Sequence, residues 1–124
     1  MRCGNMVFLA SYFNTIRAIA GQKEPVILEI VIRNDETDSK LVSLLVKIPF
    51  SLGFDSTGLM RETRRRLGYL KAGDEKRVPL PIYCKPNIKE GSYPIEVRLQ
   101  IHPDKYDRVL KEFQHKTELR VISK

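Results

Sequence analysis

Residues 26–33, Val-Ile-Leu-Glu-Ile-Val-Ile-Arg, are the most β-branched run in the chain and constrain its fold most. Side chains branched at Cβ fit a pleated backbone better than a helix. Asn34 to Lys40 follows as Asn-Asp-Glu-Thr-Asp-Ser-Lys, a dense set of turn formers, and Gly21 and Pro25 punctuate the approach. The stretch reads as a strand and a tight reversal. Period two puts Val26, Leu28, Ile30 and Ile32 on the core face. Ile27, Glu29, Val31 and Arg33 make a mixed face, partly covered.

Neighbouring segments supply matching strands. Residues 6–12 are short and apolar, and Thr15 to Ala20 alternates weakly. Leu41 to Ile48 is apolar almost throughout and ends at Pro49. Lys76 to Cys84 carries Val78, Leu80 and Ile82 on one face. Pro79 and Pro81 cannot donate to a ladder, which places that strand at an edge. In Tyr93 to His102, Ile95, Val97, Leu99 and Ile101 alternate with polar residues, the pattern of a strand buried on one face. Tyr106, Val109, Leu110 and Phe113 have helical spacing, but Phe113, His115, Thr117, Leu119 and Val121 alternate, so a final strand is expected over 112–122. The fold class is all-β: a sandwich of about seven antiparallel strands. Ser51 to Gly68, with Gly53, Asp55, Ser56 and Gly58, is expected to be an extended or irregular basic excursion. Within it 59–67 stays open between a strand, with Leu59, Arg61, Thr63, Arg65 and Leu67 on one face, a helix, with Arg61, Arg64 and Arg65 on one face, and a loop.

The 124 residues make one domain, 1–124, with 1–12 either frayed or an edge strand. No window approaches the ~18 uninterrupted apolar residues of a membrane span. A formal net charge of +7 favours anionic partners. Cys3 and Cys84 are too few for a disulfide framework or a zinc site and read as reduced thiols of a cytoplasmic chain. Met6 to Ala10 and Ala18 to Gly21 imitate a secretory signal. Asn14 and Arg17 interrupt it, so an extracytoplasmic location is the alternative reading.

Three short motifs carry a family resemblance. They are Ala18-Ile19-Ala20-Gly21 before Val26 to Asn34, Leu70-Lys71-Ala72-Gly73-Asp74-Glu75-Lys76, and Glu90-Gly91-Ser92-Tyr93-Pro94-Ile95-Glu96-Val97. Over 16–34 and 67–101 the chain resembles immunoglobulin-like domains of the bacterial and archaeal cell-adhesion-related (CARDB-like) group. That resemblance implies an immunoglobulin-like sandwich acting as a noncatalytic module. The basic segment 51–68 departs from it, being longer than the usual middle connection.

Little in the sequence points to catalysis. His102-Pro103-Asp104 sets an imidazole near a carboxylate with no nucleophile evident beside it. His115 falls on the inward phase of the last strand and reads as structural. No spacing suits a metal, no Gly-rich phosphate loop or nucleophile elbow is present, and no cofactor or small-molecule substrate is expected. The candidate binding residues are Arg61, Arg64, Arg65 and Arg66, with Lys71 and Arg77, Lys76 also being near. Seven basic residues over 59–78 face three acidic ones, and guanidinium groups bind phosphates and carboxylates bidentately. The bland reading is a solvated loop with Glu62 satisfying one arginine. Two functions follow. One is a noncatalytic module docking a protein, or a second copy as a homodimer, through a sheet edge or the 51–68 loop. The alternative is nucleic-acid or other polyanion binding by the arginines, for which Tyr69 is the nearest stacking aromatic. Tyr93, at a strand start, reads as a corner tyrosine bonded to upstream backbone.

Overall fold

Alternation along the chain builds two sheets. A computed structural model describes residues 7–15, 17–57 and 59–123. Met1 to Met6, Cys3 included, together with Ile16, Gly58 and Lys124, lie outside the described residues. Among the described residues there are nine strands and no helix: β1 (Val7–Phe13), β2 (Ala18–Ile19), β3 (Val26–Asn34), β4 (Lys40–Lys47), β5 (Leu52–Gly53), β6 (Glu62–Leu70), β7 (Glu75–Cys84), β8 (Gly91–His102) and β9 (Lys111–Ile122). Seven correspond to the expected strands, though β2 keeps only two residues. The other two, β5 and β6, both come from the 51–68 segment, which corrects the expectation of an irregular excursion there.

The first sheet runs β1-β3-β7-β5 and the second β2-β9-β8-β4-β6. Every pairing is antiparallel except β2 with β9, which is parallel. The layers close over one core. Val26, Leu28, Ile30 and Ile32 of β3 are buried, as the alternation requires, and face Val42, Leu44 and Val46 of β4 and Ile95, Val97 and Leu99 of β8 within one cluster. β4 lies between β8 and β6, which explains an apolar run interrupted only by Ser43. Leu45, on the outer face, is 5% exposed, with Arg64 and Arg98 directly opposite it on the two flanking strands.

The register fixes which way each backbone group points. Asn14 N donates to Ile27 O at 3.0 Å, so odd residues of β3 bond to β1 and even ones to β7. Val78, Leu80 and Ile82, opposite Ile30, Leu28 and Val26, take those bonds. Pro79 and Pro81 therefore turn their missing donors away from β3. β5 reaches β7 only at Tyr83 and Cys84, so the prolines lie on an open edge and blunt it. Tyr93 behaves as a corner residue: its hydroxyl donates to the Lys89 carbonyl at 2.5 Å.

Candidate functional site

β6 forms the outer edge of the second sheet. Ile48 N donates to Arg61 O at 3.0 Å, continuing the β4–β6 ladder by one pair. By alternation, Thr63 and Arg65, opposite Val46 and Leu44, bond inward to β4. Glu62, Arg64 and Arg66 then turn their amide and carbonyl groups to the open side. The ladder slips between Val42 and Ser43, which leaves Leu67 as the extra residue of a bulge. β6 contains no proline.

The structure divides the candidate arginines. Arg64 and Arg66 lie opposite Leu45 and Ser43, on the outer face of the second sheet; Arg65 lies opposite Leu44, on the inner side at its margin. Arg61 precedes the strand. The guanidinium groups of Arg61 and Arg65 are exposed and make no hydrogen bond or ion pair among the described residues. Arg64 Nη1 donates to Gln100 Oε1 at 3.2 Å, and Gln100 Nε2 donates to Glu112 Oε2 at 2.8 Å, a chain from β6 across β8 to β9. Arg66 stacks 4.9 Å above the Tyr106 ring, whose hydroxyl accepts from Gly68 N at 2.9 Å. Tyr69 is exposed on the same face. Glu62 pairs with Lys47 at 3.9 Å, not with an arginine.

Lys71 is in the β6–β7 turn, its amide held by Asp74 Oδ2 at 3.0 Å. Arg77 belongs to the other sheet, where Glu29 at 2.9 Å and Glu75 at 3.0 Å hold its guanidinium. The candidates thus form an arginine-lined edge from 61 to 66, separate from Arg77. On the outer face Arg98 contacts Glu96 and, through that hydrogen bond first, holds the Glu96 carboxyl below the ordinary carboxylate range. Cys84, half-buried, has its thiol pKa pushed up by desolvation.

Sequence reasoning missed a polar knot beside β6. Ser43 Oγ lies 2.7 Å from His102 Nε2, and His102 Nδ1 lies 2.5 Å from the Arg108 carbonyl oxygen. A carbonyl only accepts, so in the neutral ring Nδ1 carries the hydrogen and Nε2 accepts from Ser43. A hydroxyl therefore does stand beside the imidazole. Ser43 and His102 are only 2% and 3% exposed, and the Tyr106 ring closes edge-on over the imidazole at 5.1 Å. The arrangement locks the 103–110 loop to the sheet. The only signal was register: Ser43 and His102 are 59 residues apart. His115 is satisfied, as expected, by Ser11 Oγ at 2.9 Å.

No family model matches the chain, and no curated protein matches it. Solved structures do. BslA, a bacterial hydrophobin, superposes with TM-score 0.54 at 12% identity, covering 95% of each chain. MyfA, the major subunit of Myf fimbriae from Yersinia enterocolitica, superposes with TM-score 0.50 at 12% identity, covering 94% of this chain and 98% of that one. A β-glucuronidase from Bacteroides uniformis matches with TM-score 0.50 at 17% identity over 90% of this chain but only 13% of its own length. At such identities the likeness is one of fold alone: an all-β sandwich of two sheets.

Proposed function

We propose that the protein is a noncatalytic interaction module, CARDB-like in kind, that docks an extended segment of another protein along β6. The observation that carries this reading is the open row of backbone groups at Glu62, Arg64 and Arg66, beside the unpartnered guanidinium groups of Arg61 and Arg65. An added strand gains main-chain hydrogen bonds from the row, and side-chain contacts give specificity. Four arginines against Glu62 over 61–66 oppose pairing with a like-charged copy and favour an acidic strand. The β7 edge, blunted by Pro79 and Pro81, is a poorer template.

Arg64→Pro tests this reading. The new ring would take the outward position that Pro79 and Pro81 already occupy on β7, leaving the β4 ladder intact. The expected result is an unchanged circular dichroism spectrum and loss of at least about tenfold in affinity for a partner purified from nuclease-treated native extract, the scale of one or two edge hydrogen bonds. Arg64→Ala separates loss of the amide from loss of the side chain. Unchanged affinity in Arg64→Pro would rule out docking on β6.

The second reading is polyanion binding, favoured by Arg64, Arg66 and exposed Tyr69 on one face. It requires affinity to fall steeply between about 50 and 200 mM salt. It also requires heparin retention to vanish when Arg64, Arg65 and Arg66 become alanine. Docking by backbone pairing requires neither.

A further inference from the structure

β9 presents a second edge of different character. It is 12 residues long, yet β2 pairs only with Val121 and Ile122. Ahead of these, no described residue pairs with its outer side. Ala20 N donates to Ile122 O at 2.9 Å, so even-numbered residues of β9 point away from β8. Glu112, Gln114, Lys116 and Glu118 therefore present their amides and carbonyls outward. Their side chains share the outer face with Glu96, Arg98 and Gln100. β1 approaches β9 through Ser11 and His115, an inward side chain, and this contact leaves the outward row untouched.

The row is complementary to itself. With two copies antiparallel and Gln114 opposite Gln114, Glu112 of each strand faces Lys116 of the other. Sliding one step sets Glu112 against Glu118, and a further step sets Lys116 against Lys116. A third sets Lys116 against Glu118 but brings Glu112 against Ile122, whose outward side β2 already takes, so charge and the β2 pairing together select the first register. Residues 111–118 carry two lysines and two glutamates, a balance that β6 lacks. The Glu112 carboxylate is already oriented by Gln100 at 2.8 Å. Lys116 makes no ion pair among the described residues. Over 112–118 the edge carries no proline and no inward-pointing Lys, Arg, Asp or Glu, two devices by which exposed strands avoid pairing with one another; Lys111, on the inward phase over the Phe113 ring, lies at its very start.

We propose that the protein forms a two-fold dimer in solution by antiparallel β9–β9 pairing centred on Gln114, which joins the five-stranded sheets of two copies into one. The contact is isologous, so a single change alters it twice.

Sedimentation equilibrium on the full chain over a concentration series tests the proposal. Unaltered protein is expected to dimerise. Lys116→Glu and Glu112→Lys are each expected to weaken the dimer by about tenfold, since each sets two like-charge pairs across the axis. The double variant Glu112→Lys with Lys116→Glu restores opposite charges and is expected to return to within about threefold of the unaltered constant. A monomer at every concentration, or a dimer indifferent to the single changes, or a double variant as weak as the singles, would each overturn the proposal. Arg64→Pro must leave the dimer intact; its loss there would move the interface to β6 and also overturn the β9 assignment. Failure of β6 docking with a persistent β9 dimer would count against the docking reading alone.

Discussion

Asn34→Ala is expected to lower the stability of the domain by about 3 kcal/mol, a large share of the margin of a single small domain. The side chain is fully buried. Its Nδ2 donates to the Asp38 and Leu70 carbonyls, both at 2.8 Å, and its Oδ1 accepts from Glu36 N at 2.9 Å. Its backbone is engaged as well: its amide donates to Asp74 O at 2.9 Å and its carbonyl accepts from Gly73 N at 2.7 Å. One residue thus ties the end of β3, the 35–39 loop, the end of β6 and the 71–74 turn. Truncation leaves the Glu36 amide without its partner and takes a buried bond from the Leu70 carbonyl, and a buried group without a partner carries its full desolvation cost. Asn34→Asp keeps the acceptor but sets a carboxylate against two carbonyls, so it should not rescue. Thermal unfolding measures the effect, with a fall in Tm on the order of 10 °C. A fall of a degree or two would show that the three bonds contribute little.

Leu99→Ala is expected to cost about 2–5 kcal/mol. Leu99 is fully buried, between Leu44 of β4 and Phe113 of β9, its cross-strand neighbours at the centre of the second sheet. Strands pinned on both sides cannot collapse into the space left by the missing carbons, so a cavity penalty adds to the lost transfer free energy. Leu59, 81% exposed, is the control. Leu59→Ala should stay within about 0.5 kcal/mol of the unaltered protein. Urea unfolding of the pair checks the contrast, and equal costs would mean that the assigned core is wrong.

Both effects fall on residues whose sequence signals differ. Leu99 belongs to the clearest alternating stretch, and β3, β8 and β9 were readable for the same reason: one face packs and the other is solvated. The open flank of β7 ahead of Tyr83 was readable from Pro79 and Pro81, because a missing donor can point only outward, although β5 takes the outermost place in the sheet order. β6 could be read as a strand but not told from a helix or a loop. On an edge strand both the outer face and the flank meet solvent, so Arg61, Arg64, Arg65 and Arg66 erase the period-two signal. Of its apolar side chains only Leu67 and Leu70 pack against the core, and the bulge breaks their spacing. Tyr106 and the Ser43–His102 knot were invisible for another reason. Their contacts depend on register between strands far apart in sequence, which no local pattern encodes. The arginine cluster was visible as charge, but its division between an open edge and an outer face emerged only from the β4–β6 pairing. The separation of Arg77 likewise required the sheet order.

Amide hydrogen exchange along β6, followed by NMR on the isolated protein, tests the central claim most directly. The account predicts alternation: slow exchange at Thr63 and Arg65, bonded into the β4 ladder, and fast exchange at Glu62, Arg64 and Arg66, facing outward. Uniformly fast exchange would return the segment to an irregular loop, and uniformly slow exchange would mean that the edge is already covered; either would contradict β6 as the docking edge.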